Sequence, residues 1–238
     1  MEITARVPMR IDLAGGTLDV YPLYVFEGGG LTVNAAIDVM ATASVRTRED
    51  ATIRIVSRDL DVVEVVPSLD GLTFGTPLDL VRRALAYYRP ETGLDIIVES
   101  EAPQGSGLGA SSALLMALSH CLSRLTGKGL SAGQIIDVGA NIEAQTIGIP
   151  TGKQDYFPPV YGGVCAIWFH LDGWKLEQLG TSAAPSDGLI TALNERLIVS
   201  YTGIPHRSAV TNWAMLRRYI EREGDTVARL RDIKQIAV

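Results

Sequence analysis

The first third of the chain alternates apolar and polar residues with a period of two. Residues 51–56 and 62–66 carry this pattern, and 3–7, 10–13, 31–37 and 39–45 are strand-like runs beside them. A period of two sends successive side chains to opposite faces of a sheet, so these segments predict short, half-buried strands. Residues 78–88 change to a helical period, and 94–99 return to a strand. Residues 111–125 are apolar on nearly every side, which predicts a buried helix. A second helix is predicted over 131–145, with Ser131 as its N-cap. Beyond it, 164–169 and 197–201 read as strands, and 208–221 and 225–236 as helices. Strands come first and helices are interleaved later, so the fold class is α+β rather than a regular βαβ repeat. Val238 falls inside the last helical pattern with no Gly or Asn stop signal, so the sequence predicts a truncated chain.

With 238 residues, 47% of them hydrophobic, the chain can bury a sizeable core in one large domain or two small ones. A net charge of −6 argues against a general nucleic-acid binder. It still allows a local basic pocket for a phosphorylated small molecule. No apolar run reaches about 18 residues, and no secretory pattern opens the chain. A cytoplasmic protein without a membrane partner is expected. Cys121 and Cys165 read as reduced, buried thiols. There is no CxxC, and His120, His170 and His206 lack metal-ligand spacing.

Candidate chemistry centres on Pro103-Gln104-Gly105-Ser106-Gly107-Leu108-Gly109-Ala110-Ser111-Ser112, between a predicted strand and a predicted helix. Glycines let backbone N–H groups close around an anion without Cβ interference. The helix start adds unpaired N–H groups and the positive end of its dipole. The construction suits a phosphate, and the serine hydroxyls suit that phosphate or a Mg²⁺ riding on it. Gly105 to Ala110 also satisfies G-x-G-x-x-A, but a dinucleotide site needs a second parallel strand where 131–145 is helical. Gly148 to Lys153 imitates a Walker A loop, with one residue too few and Gln154 after the lysine.

Three segments in order resemble the GHMP kinase superfamily. They are Val7-Pro8-Met9-Arg10-Ile11-Asp12-Leu13-Ala14-Gly15-Gly16-Thr17-Leu18-Asp19, the glycine loop, and Glu143 through Asp155. Gly152-Lys153-Gln154-Asp155 and the later Tyr201-Thr202-Gly203 before an Arg-Ser helix start are most similar to the D-glycero-D-manno-heptose 7-phosphate kinases. The resemblance implies a ribosomal protein S5 domain 2-like domain over 1–190. It also implies the start of a ferredoxin-like C-terminal domain over 191–238, without the superfamily's third glycine-rich motif. Thr17-Leu18 stand where the heptose kinases carry Gly-Ser, beside the sugar.

The implied activity is transfer of the γ-phosphoryl group of ATP, with Mg²⁺, to a hydroxyl of a sugar or sugar phosphate. That chemistry needs a polyphosphate cradle, a metal and an aligned acceptor. Pro103, Gly105, Ser106, Gly107, Leu108, Gly109, Ser111 and Ser112 are the expected cradle. Ser112 and Glu143 are the candidate Mg²⁺ ligands, a hydroxyl and a carboxylate for a hard ion. By resemblance, Asp155 is the catalytic aspartate and Arg10 the cation that holds it ionised or steadies developing charge. Gly16, Thr17, Asp19, Lys153, Tyr201 and Arg207 are the candidate acceptor contacts, with Arg207 suited to a sugar phosphate. A homodimer is compatible with this reading. Two alternatives stay open on sequence: a GHMP kinase for fucose, galactose or a mevalonate-type alcohol, and a catalytically silent ligand-binding homologue.

Overall fold

A computed structural model describes residues 1–181, 188–205 and 208–238. The alternating segments assemble into one sheet. Its strands are β1 (Glu2–Ala14), β2 (Gly30–Thr47), β3 (Ile53–Ser57), β4 (Val62–Val66), β5 (Leu94–Ser100), β6 (Val164–His170) and β7 (Gly173–Gly180). Their order is β4-β3-β5-β2-β6-β7, with β1 along the other side of β2. The β3–β5 pair is parallel and the others are antiparallel. β2 is long enough to serve two neighbours: Ala41–Thr47 pair with β5, and Gly30–Ala35 with β6.

Two pairs of expected strands are each one continuous strand. Residues 3–7 and 10–13 join as β1, and 31–37 and 39–45 join as β2. The break in pattern has a physical source. Pro8 has no N–H for the ladder, and the register shifts between Pro8 and Met9, which leaves Asp38 and Val39 outside the pairing with β1.

The helices are α1 (Leu23–Phe26), α2 (Asp79–Tyr88), α3 (Ala110–Leu125), α4 (Ala132–Ile147), α5 (Phe157–Tyr161), α6 (Leu189–Arg196), α7 (Ser208–Ile220) and α8 (Thr226–Ala237). α3 is the apolar helix of the sequence. It lies against β1 and β2 and contacts α2 and α4. Leu115, Leu118 and Leu122 are fully buried with Ala43, Ile55 and Ile96 of the sheet. Each such leucine is worth roughly 1.5–3 kcal/mol, so α3 is the rigid post on which the glycine loop stands. Ser131 caps α4 as expected, in a reciprocal box with Gln134.

The glycine loop is followed by two consecutive helices, α3 and α4, not by a parallel strand, as the argument against a dinucleotide fold requires. β7 and α6 were not foreseen, and the strand expected at 197–201 does not form. Leu197, Ile198 and Val199 are exposed, and no strand among the described residues pairs with them. Alternation sets a face, but a ladder needs a neighbour. Cys121 and Cys165 are free and buried, and burial pushes their thiols up to about 11 and about 12. Among the described residues, no helix is long and apolar enough to cross a membrane.

A second small cluster matters for the site. Leu216 of α7 and Leu230 of α8 pack with Leu18, Val20 and Leu23. The Tyr219 hydroxyl and the Arg231 guanidinium both donate to Glu27. Together they pin the turn after β1, which carries Gly16, Thr17 and Asp19.

Candidate active site

A cavity of about 980 Å³ runs from the end of β3 and the start of α2, past the glycine loop, to the turn after β1. Gly105, Gly107 and Gly109 all have φ between +70° and +77°, a region that penalises every side chain. Gly109 is the N-cap of α3 and provides no side-chain cap, so among the described residues no side chain caps the first turn, whose residues Ala110, Ser111 and Ser112 line the cavity. On the same wall the Ser106 Oγ is buried and, among the described residues, has no partner. An anion in the loop would satisfy both.

Ser111 is exposed and Ser112 buried, both at the first turn of α3 and both lining the cavity. The Ser112 Oγ donates to Glu143 Oε2 at 2.8 Å. The Tyr156 hydroxyl donates to the same oxygen. Burial pushes the Glu143 carboxyl above its usual range, although both hydroxyls act against it. Burial, then the Glu143 charge, pushes the Tyr156 hydroxyl well up. A dry carboxylate beside a phosphate cradle is stabilised by a bound cation. Among the described residues, no group of three or more His, Cys, Asp or Glu could hold a metal alone. The donor set of one hydroxyl and one carboxylate nevertheless fits Mg²⁺, which takes few protein oxygens and completes its shell with phosphate and water.

Asp155 lies in a single turn, Gln154–Tyr156, after the Gly152 loop. Arg10 of β1 reaches it from below. The Arg10 Nε and Nη2 donate to Asp155 Oδ1 at 2.8 and 2.6 Å, and Nη1 donates to the Gly107 carbonyl at 2.6 Å. Both bonds fall on Oδ1, so among the described residues no donor meets Oδ2. Burial works against the Arg10 charge, but Asp155 and Asp12 outweigh it and raise its pKa. One guanidinium therefore ties the catalytic candidate to the glycine loop. Gly109 closes the same junction: a Cβ there would touch Arg10 and Asp155 at 3.5 and 3.6 Å.

Asp19 is only 2% exposed, and its Oδ2 accepts the Gln154 backbone N–H at 2.9 Å. A Cβ at Gly152 would collide with the same carboxylate. Asp19 thus anchors the Asp155 loop while bordering the cavity. Asn34 holds the loop from the other side, donating to the Gln154 carbonyl at 3.1 Å.

Most expected residues converge. Gly105, Ser106, Gly107, Gly109, Ser111, Ser112, Glu143, Arg10, Asp155, Gly16, Thr17 and Asp19 all line the cavity. Four of the others do not. Pro103 and Leu108 shape the loop from outside the lining: the Pro103 carbonyl accepts from Ser106, and the Leu108 carbonyl from Arg10. Lys153 turns away to pair with Asp137 at 2.7 Å, because that carboxylate on α4 lies within its reach. Tyr201 is exposed in the unpaired 197–201 segment, away from the cavity. Arg207 lies outside the described residues. Sequence reasoning missed Asp12, Gln154 and Tyr156. Gln154 stood inside the quoted Gly-Lys-Gln-Asp run, and Asp12 two places after Arg10, so period two alone puts it on the Arg10 face.

Residues 79–163 match the GHMP kinases N terminal domain. The chain is 26% identical over 247 residues to the bifunctional fucokinase/GDP-fucose pyrophosphorylase of Arabidopsis thaliana, covering 98% of this chain and 23% of that protein. It is 28% identical over 173 residues to the D-glycero-alpha-D-manno-heptose 7-phosphate kinase of Campylobacter jejuni, covering 71% and 51%. The chain thus spans about a quarter and about half the length of these two relatives. A crystal structure of a D-glycero-D-manno-heptose 1-phosphate kinase from Bacteroides thetaiotaomicron superposes with a TM-score of 0.71 at 21% identity, covering 97% of this chain and 76% of that one. The likeness to the GHMP kinases N terminal domain is thus confined to residues 79–163, and the α+β fold is that of the superposed heptose 1-phosphate kinase.

Proposed function

We propose that the protein transfers the γ-phosphoryl group of ATP, with Mg²⁺, to a hydroxyl of a sugar or sugar phosphate, in the manner of a heptose 7-phosphate kinase. The names of the relatives support a kinase. The observation that carries the reading is the Arg10 bridge, one guanidinium spanning the Gly107 carbonyl and Asp155. It places a carboxylate one side chain away from the phosphate cradle, as in-line transfer requires. We take residues 1–190 as the nucleotide-binding domain and 191–238 as the opening of the family's C-terminal domain.

The geometry supports the following roles. The N–H groups of the loop and of the first α3 turn receive charge that builds on the transferred phosphoryl oxygens. Ser112 and Glu143 would hold Mg²⁺, which would supply positive charge against the polyphosphate. Asp155 accepts the hydroxyl proton at Oδ2 as the acceptor oxygen bonds to phosphorus and the bond from phosphorus to the ADP oxygen breaks. A carboxylate is a much weaker base than the alkoxide, so it assists late and mainly by orientation. Arg10 fixes that orientation through its two hydrogen bonds to Asp155 Oδ1.

ADP release over a panel of hexoses, heptoses and their phosphate esters tests this. Asp155→Asn should lower kcat about a thousandfold while binding of a fluorescent ATP analogue stays within about twofold. No turnover of any acceptor, or full activity in Asp155→Asn, overturns the proposal.

A further inference from the structure

Glu27 joins three segments of the chain, and none of the roles above uses it. It ends α1, just past the turn after β1, and its side chain is only 5% exposed. Donors 192 and 204 positions later in the chain converge on it. The Tyr219 hydroxyl of α7 donates to Oε1 at 2.5 Å, and Arg231 Nε of α8 donates to Oε2 at 3.1 Å. Lys234 Nζ of α8 donates to the Glu27 carbonyl at 2.5 Å. The Phe26 ring lies parallel to the Tyr219 ring at 5.9 Å. Burial works against the Glu27 charge, but these donors and cations outweigh it and hold the carboxyl below its usual range.

A buried carboxylate loses its hydration, and apolar packing could hold two helices without that loss. Leu216 and Leu230 already pack there with Leu18, Val20 and Leu23. What the directed hydrogen bonds add is a single register of the helices against the turn.

That register reaches the cavity from two sides. On one side, backbone bonds lead from Glu27 to the turn. The N–H groups of Glu27, Leu23 and Val20 donate in series to the carbonyls of Leu23, Val20 and Thr17, at 3.0, 2.8 and 3.2 Å. Thr17 and Asp19 line the cavity, and Asp19 holds the Gln154 N–H beside Asp155. On the other side, Asn212 of α7 lines the cavity, the one lining residue after Asp155 among the described residues. Asn212, Leu216 and Tyr219 follow at spacings of four and three, so they share one face of α7. The face that packs on the turn and meets Glu27 therefore also delivers a carboxamide to the cavity. α8 covers the start of the turn: a Cβ built at Gly15 would lie 3.1 Å from the Ala237 Cβ.

We propose that Glu27 is a positioning residue for the acceptor: it latches α7 and α8 onto the turn after β1, so that the turn and Asn212 together enclose the acceptor. The inference rests on the kinase reading and makes acceptor binding depend on a contact outside the cavity. By linkage, an acceptor that is favoured by the latched helices must favour latching by the same factor. The nucleotide, held at the glycine loop, stands outside that linkage.

Kinetics with ATP, Mg²⁺ and the fastest-reacting hexose, heptose or phosphate ester of the panel test it. Glu27→Gln keeps the shape and removes the charge. It should raise the acceptor KM about tenfold and leave kcat and the ATP KM within about twofold. Tyr219→Phe, the milder second variant, should raise the acceptor KM about threefold. The double variant should fall short of the product of the two, since both break one contact. Ile135→Val in the core face of α4 should lower the melting temperature without moving the acceptor KM. Amide hydrogen exchange over 212–237, measured with a non-hydrolysable ATP analogue bound, should slow about fivefold on adding the acceptor, and not in Glu27→Gln. An unmoved acceptor KM, equal losses in both KM values, an Ile135→Val effect as large as that of Glu27→Gln, or exchange indifferent to the acceptor overturns the inference. The kinase reading fails differently. No ADP release by the unaltered chain with any acceptor sinks both, whereas an active kinase with an unmoved acceptor KM in these variants sinks this inference alone.

Discussion

At the end of the cavity around Gly105–Ser112, the groups that meet a ligand are mostly backbone N–H donors, set by three left-handed glycines and an uncapped helix. At the end around Gly16 they are side chains: Arg10, Asp12, Asp19, Gln154 and Asp155. The first kind of site is fixed by the path of the chain and is insensitive to most single substitutions. The second is held by side chains, four of the five charged, and each can be removed or replaced singly. A polyphosphate is common to many reactions, so a backbone cradle suits it. An acceptor distinguishes one reaction from the next, and side chains are where such distinction is built.

Glu143 is the sharpest place to break that contrast, because it is a side chain at the backbone-made end. Glu143→Gln removes the charge and keeps the shape. If backbone donors alone hold the phosphates, nucleotide affinity without Mg²⁺ should stay within about twofold. If the carboxylate serves the metal, kcat should fall on the order of a hundredfold, with a higher Mg²⁺ requirement. The melting temperature should hold or rise, because the substitution removes a buried charge whose pKa burial already pushes up. Equal losses of stability and activity would show Glu143 to be structural.

Asp19 tests the opposite end. Burial pushes its carboxyl up to about 7, against the Gln154 N–H that favours the charged form. The native state then binds a proton between the ordinary carboxylate pKa and about 7 that the unfolded chain releases. Stability is highest below that window, falls as pH rises from about 4 to about 7, by at most roughly 1.4 kcal/mol per unit, and levels off above it. Thermal melts across that range should show the slope, and Asp19→Asn should flatten it. Since Asp19 anchors the Asp155 loop, the acceptor KM should drift with pH through this window while the nucleotide KM does not. Equal drift in both would erase the contrast between the two ends.

The two ends also differed in how far they could be read from sequence. Glycine has few reasons to recur at 105, 107 and 109 before a helix, so the cradle was legible from residue type alone. Arg10 and Asp155 stand 145 positions apart, and only the resemblance joined them before the fold did. Asp19 was read as a sugar contact, but its place against Gly152 and the Gln154 N–H depends on β1 and the 152–156 turn meeting, which no local pattern encodes. Tyr156 escaped because an aromatic residue before a Phe-Pro-Pro run reads as core. The sheet was legible by period two, whereas the 197–201 alternation misled, because strand formation depends on a neighbour the pattern does not contain.

Thr17 provides the smallest and most discriminating test. It is a β-branched residue at φ +83°, where a glycine would be unstrained, and it lines the acceptor end beside Gly16. Such strain costs on the order of 1–3 kcal/mol, partly offset in any comparison because glycine loosens the unfolded chain. Thr17→Gly should therefore raise stability by about 1 kcal/mol, or roughly 2–4 °C in melting temperature. If strain at this turn positions the acceptor, the same variant should raise the acceptor KM several-fold and leave the nucleotide KM alone. A gain in stability with both constants unchanged would mean that the turn after β1 carries its strain without using it. The acceptor end would then rest on Asp12, Gln154 and Asp155 alone.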